Sequence, residues 1–172
     1  MTTEKPTLHV DRYERNWIRL SVVILVAFFA AVTIAGFALG IQLPSPELRV
    51  DPRTVATQGP FADAAKAVAD GKSPLKEISP GRYEAYILAQ VFFYTPNEIT
   101  VPVGSTVTFY VTSADVQHGF KLQNTNINMQ IIPGQVSKLT ATFDEPGIHQ
   151  IICNEFCGLG HAGMSGRIIV EG

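Results

Sequence analysis

The sequence predicts an all-β domain, a sandwich or barrel of about 90 residues, preceded by one membrane-spanning α-helix. Three observations carry this. The 24 residues from Leu20 to Leu43 hold no charge and are mostly Val, Ile, Leu, Phe and Ala. From Tyr83 onward, short β-rich runs alternate with turn signals at Thr95-Pro96-Asn97, Val103-Gly104, Pro133-Gly134 and Glu145-Pro146-Gly147. The 172 residues suffice for one domain of ordinary size plus an anchor, and the chain has no internal repeat and no low-complexity tract.

Residues 1–19 form a polar tail. The run after it is too long for the ~7–15-residue apolar core of a cleaved signal peptide, and it begins too far into the chain. At about 1.5 Å per residue a helix of that length crosses a ~30 Å hydrocarbon core. Lys5, Arg12, Arg15 and Arg19 precede the span, whereas Arg49 and Arg53 follow it, so the positive-inside rule puts the N-terminus in the cytoplasm and residues 44–172 outside. Tyr13 and Trp17 fit an interfacial position. Gly36 and Gly40 form a G-x-x-x-G pair, which fits close approach of another helix, although glycine is common in membrane helices anyway.

Pro44, Pro46 and Pro52 mark residues 44–81 as an extended linker. Within it, Ala-rich Phe61–Asp70, closed by Gly71, predicts one short surface helix. The β domain then occupies 82–172. Strands are expected near Tyr83–Ala89, Glu98–Val101, Thr106–Thr112, Gly119–Leu122, Ile127–Ile131, Lys138–Phe143, His149–Ile152 and Arg167–Val170, paired antiparallel.

A net charge of −2 without any basic cluster argues against nucleic acid as a partner. The chemistry sits in one Gly-rich loop, where Cys153, Cys157, His161 and Met164 fall within twelve residues. Two cysteines outside the cytoplasm fit a disulfide as well as a metal site. Adding an imidazole and a thioether favours copper, since zinc rarely recruits a thioether. One Cys with His and Met suits a mononuclear site; the second Cys supplies another sulfur and allows two copper ions. His118, in the polar connection after the Thr106–Thr112 strand, supplies a further ligand if both loops lie at the same end of the sandwich. His9 lies in the tail, His149 within a strand beyond a turn, and Met129 mid-strand as core. There is no Cys-x-x-Cys-His, hence no c-type haem attachment.

The pattern Asp115-Val-Gln-His118-Gly-Phe120, followed by Cys153-x-Glu155-x-Cys157-x-x-x-His161-x-x-Met164, resembles the CuA domain of cytochrome c oxidase subunit II. One N-terminal helix and the short length resemble the B-family haem-copper oxidases. Val50-Asp51-Pro52, Gln58-Gly59-Pro60, the turn Tyr94-x-Pro96-Asn97, and Thr125 to Asn128 with Pro133-Gly134 are further points of similarity. The resemblance implies a cupredoxin Greek-key fold and a dinuclear copper centre. In it Cys153 and Cys157 bridge both metals and His118 and His161 bind one each. Met164 is a weak ligand to one copper and the Glu155 backbone carbonyl its counterpart on the other. It further implies electron transfer from a soluble cytochrome c-type donor to haem in subunit I of the oxidase, at a prokaryotic cell membrane, with oxygen chemistry confined to the partner.

Two departures from longer relatives matter. Those have two membrane helices and a Trp-rich segment for electron input; here the matching stretch reads Val91-Phe92-Phe93-Tyr94, making Phe92, then Phe93, the expected docking residues. Strand alternation makes it improbable that both face outward. In longer relatives the side chain at Glu155 holds magnesium at the subunit boundary, so a Mg²⁺ or Mn²⁺ site is expected as an option here. With four basic and seven acidic residues in 82–172, apolar docking competes with charge steering. The rival readings are a copper subunit of another reductase of nitric oxide reductase type and a membrane-tethered copper chaperone. Nitrous oxide reductase also ends in such a domain, but a likeness there covers only the last ~90 residues, about one domain.

Overall fold

The computed structural model describes residues 10–41 and 45–172. Lys5, His9 and the last two residues of the predicted span lie outside the described residues. Along the chain run α1 (Arg12–Phe37), β1 (Ser45–Arg49), α2 (Pro60–Ala69), β2 (Leu75–Ser79), β3 (Arg82–Gln90), β4 (Phe93–Thr95), β5 (Glu98–Pro102), β6 (Ser105–Ser113), β7 (His118–Leu122), β8 (Asn128–Ile131), β9 (Gln135–Phe143), β10 (Gly147–Ile152) and β11 (Ser165–Glu171).

The α1 helix starts earlier than the apolar run because Asp11 caps it, its carboxylate accepting from the Tyr13 and Glu14 amides at 2.7 and 2.9 Å. It also ends earlier, at Phe37, where the Ala38 amide closes the last turn on the Ile34 carbonyl and Gly40 adopts φ +60°. Gly36 is therefore helical and Gly40 is not, so the G-x-x-x-G spacing presents no common helix face. The charge-free helical part, Leu20–Phe37, rises about 27 Å, close to the thickness of a hydrocarbon core. None of the α1 side chains is buried, and its length and composition suit a membrane span.

Residues 45–172 form two facing sheets. One runs β1-β9-β6-β3-β2 with β4 on the end of β3; the other runs β5-β11-β10-β7-β8. Alternation in β6 shows why they face one another. Val107, Phe109 and Val111 point inward and are fully buried. Thr106 and Thr108 point outward and share hydroxyl hydrogen bonds of 3.1 and 3.0 Å with Thr142 and Thr140 on β9. Aromatic edges lock the interior, with Phe109 6.0 Å from Phe120 and 6.3 Å from Phe143. Chain alternation between the sheets makes a Greek key of cupredoxin type.

Two expectations are corrected. Pairing is not wholly antiparallel: β3 runs parallel to β6 and β5 parallel to β11. The chain leaves the first sheet through β4, passes through β5 in the second and returns as β6, a crossover rather than a hairpin. Nor is 44–81 simply a linker. β1 pairs with β9 and β2 with β3, while Phe61 of α2 is buried with Val55, Leu88 and Val136 on the outer face of the first sheet. Both strands are edges, where proline and charge are tolerated and alternation fades.

Candidate metal centre

The loop Cys153–Met164 joins β10 to β11, and antiparallel pairing fixes its neck, with Ile152 opposite Ser165. The Cys153 amide donates to the Met164 carbonyl at 3.3 Å, just inside the loop. A short 3-10 turn, His161–Gly163, swings the second half of the loop back towards the first. Next to β10 lies β7, paired through Ile151–Leu122 and Ile152–Lys121. That pairing brings His118, the first residue of β7, alongside Cys153.

All six predicted ligand positions meet there. Cys153 Sγ lies 3.7 Å from Cys157 Sγ, 4.0 Å from His118 Nδ1 and 3.3 Å from the Glu155 carbonyl oxygen. Cys157 Sγ lies 3.6 Å from His161 Nδ1 and 3.8 Å from Met164 Sδ. His118 is fully buried, and Cys153, Cys157 and Met164 nearly so. Both thiols are free, and 3.7 Å is far beyond the ~2.05 Å of a disulfide, so the disulfide reading does not describe this structure. Two sulfurs at that spacing both reach a metal at the ~2.3 Å of a metal–thiolate bond. With two imidazoles, a thioether and a carbonyl around the thiols, the donor set fits copper and leaves no hard oxygen cage for calcium or magnesium. Burial, with the neighbouring Cys153 added, pushes the Cys157 thiol up to about 11; a metal ion must therefore displace its proton.

Around these positions the structure adds contacts that sequence reasoning did not assign. One oxygen of Asp115 accepts from His118 Nε2 at 2.9 Å and the other from the Val91 amide at 2.7 Å. This turns Nδ1 of His118 towards the sulfurs. Burial raises the Asp115 pKa, but hydrogen bonds from His118, Val91 and Val116 and the His118 charge outweigh it and hold the carboxyl below its usual range. The Glu155 side chain accepts from the Gln117 amide at 3.3 Å. Burial, then the Cys153 and Cys157 thiols, push the Tyr94 phenol far above its usual pKa, so it stays a hydrogen-bond donor. The signal for Asp115 was its place three residues before His118; contacts between distant strands had none.

His149 stands apart, its ring 5.2 Å from Phe143, and Met129 is core, both as expected. Phe92 and Phe93 are 37% and 48% exposed. Strand alternation does not separate them, because Phe92 lies in the turn before β4. The Phe92 ring rests on the copper loop, where a Cβ on Gly158 would fall 3.0 Å from it and one on Gly160 2.6 Å from its Cγ. On the same loop Phe156, its ring 5.9 Å from that of His161, and Leu159 are 79% and 102% exposed. A monomer gains nothing by holding such side chains in water, and together they form an apolar rim around the site.

The family model for the periplasmic domain of cytochrome c oxidase subunit II matches residues 79–172. The chain is similar to a cytochrome c oxidase subunit 2 of Thermus thermophilus, 44% identical over 162 residues and 92% of each chain. It is also similar to a second subunit 2 of that organism, 46% identical over 142 residues, 82% of this chain and 99% of that one. Among solved structures, one chain of a heme-copper terminal oxidase dimer superposes with a TM-score of 0.71 at 35% identity, covering 93% of this chain and all of that one.

Proposed function

Since this chain belongs to the cytochrome c oxidase subunit II family, the copper-binding electron-transfer subunit of a haem-copper terminal oxidase, we propose that its domain holds a dinuclear copper centre on His118, Cys153, Glu155, Cys157, His161 and Met164. The single observation that carries this is the sulfur pair, 3.7 Å apart with an imidazole nitrogen beside each sulfur. Copper held by Cys153 and Cys157 would supply one-electron redox chemistry, and an electron shared among two metals and two sulfurs would change each bond little between redox states. The β10–β11 neck and the Asp115 clamp on His118 hold the ligands still, which keeps reorganisation small. Electrons come one at a time from a soluble cytochrome c-type donor and leave to haem in subunit I. No bond is made or broken in this chain, and oxygen reduction belongs to the partner.

Burial argues against a chaperone, whose ligands must be exposed and exchangeable. A full chain loaded with copper is expected to hold two copper ions and to keep them against a chelator. One ion, or rapid stripping, would overturn the reading. An acceptor of the nitric oxide reductase type has no observation in its favour.

For the donor, the apolar rim supports docking by hydrophobic contact around Phe92, Phe93, Phe156 and Leu159. Phe92→Ala is expected to slow reduction of the assembled oxidase by its donor about tenfold, the loss of one interface anchor. Leu159→Ser, at a side chain wholly in solvent, is expected to do so with the copper spectrum unchanged. Unaltered rates in both variants would place the donor elsewhere. The charge bias of Arg12, Arg15 and Arg19 before the apolar run supports a cytoplasmic N-terminus and an outer copper domain. A Mg²⁺ or Mn²⁺ at Glu155 requires further oxygen ligands from subunit I, because Gln117 is its only side-chain hydrogen-bond partner among the described residues. Metal analysis of the purified complex without either ion would remove that site.

A further inference from the structure

Tyr94 is almost wholly buried on β4, its ring edge-on to Phe120 at 5.7 Å. Packing alone does not call for its hydroxyl, which a phenylalanine would lack. That hydroxyl donates to the Gly119 carbonyl at 2.5 Å. The amide of the same Gly119 donates to Cys153 Sγ at 3.5 Å. Gly119 also follows the ligand His118 directly, and its Cα faces the start of the copper loop: a Cβ there would lie 2.7 Å from the Asn154 nitrogen and 2.8 Å from that of Glu155. Gly119 therefore joins the strand that carries His118 to the start of the loop that carries Cys153, and one buried hydroxyl holds it.

We propose that Tyr94 is a positioning residue for the metal centre: by anchoring Gly119 it aims the Gly119 N–H at the Cys153 sulfur and thereby sets the redox potential. A donor on a thiolate draws electron density from the sulfur and favours the reduced, more negative state. Loss of the anchor lets Gly119 swing, weakens that hydrogen bond and lowers the potential. The redox half of this rests on the two-copper reading above; the positioning half needs no metal.

The test uses the full chain in detergent, comparing Tyr94→Phe with Phe120→Leu, which disturbs the same packing without removing a hydroxyl. In Tyr94→Phe the copper spectrum is expected to persist. The electron-exchange equilibrium with a fixed redox mediator is expected to shift about threefold to tenfold towards the oxidised form, tenfold being 59 mV for a one-electron couple. In the copper-free, isotope-labelled chain the Gly119 amide resonance is expected to move and its proton to exchange faster. Phe120→Leu leaves the potential in place. An unchanged potential and Gly119 amide in Tyr94→Phe, or equal potential shifts in both variants, would overturn the proposal. If the wild-type chain took up no copper pair, the function assigned above would fall, and the Gly119 amide alone would decide the positioning role.

Discussion

Cys153→Ser is expected to reduce copper from two ions per chain to one or none and to slow electron uptake from the donor at least a hundredfold. Cys153 Sγ is the hub of the site, within 4.0 Å of His118 Nδ1, Cys157 Sγ and the Glu155 carbonyl and accepting the Gly119 amide. A serine oxygen is harder and rarely deprotonated, so it does not bridge soft copper. Changes to residues merely supporting metal ligands cost about 10–100-fold in affinity or activity; removal of a bridging ligand exceeds that. Copper analysis and stopped-flow reduction read the outcome together. Two retained coppers with normal reduction would mean that Cys153 bridges nothing.

Gly119→Ala is the second large effect. The new methyl would meet backbone nitrogen atoms of Asn154 and Glu155 at under 3 Å, and backbone, unlike a side chain, cannot rotate aside. Overpacking of this kind costs about 1–3 kcal/mol, a fall in melting temperature of roughly 5–15 °C for a domain this size. Gly160→Ala makes the contrast. Its methyl meets the half-exposed Phe92 ring, which can turn away, so the loss stays under about 1 kcal/mol for a surface change. Thermal melts of both variants separate the two, and a Gly119→Ala melt within a degree of wild type would contradict the packing described.

The clustering of the proposed ligands was legible in the sequence because it is mostly local. Five of the six proposed ligands lie on one loop, and their chemistry restricts the metal before any fold is known. His118 needed only the expectation that two loops share one end, which the β7–β10 pairing provides. The membrane helix was legible by composition, but its ends were not: Asp11 and Gly40 set them through capping geometry rather than hydropathy. β1 and β2 escaped notice because edge strands bearing Pro46, Lys76 and Glu77 carry no alternation and owe their form to β9 and β3. The same holds around the site. Asp115 reaching Val91 and Tyr94 reaching Gly119 are contacts across 24 and 25 residues, with no local period to reveal them.

The most direct test of the central claim is electron paramagnetic resonance of the full chain in detergent, loaded with copper and partly oxidised. One unpaired electron shared by two copper nuclei of spin 3/2 splits into seven hyperfine lines, the result expected from two bridging sulfurs. Four lines would mean a single copper with one thiol idle, and would contradict the account.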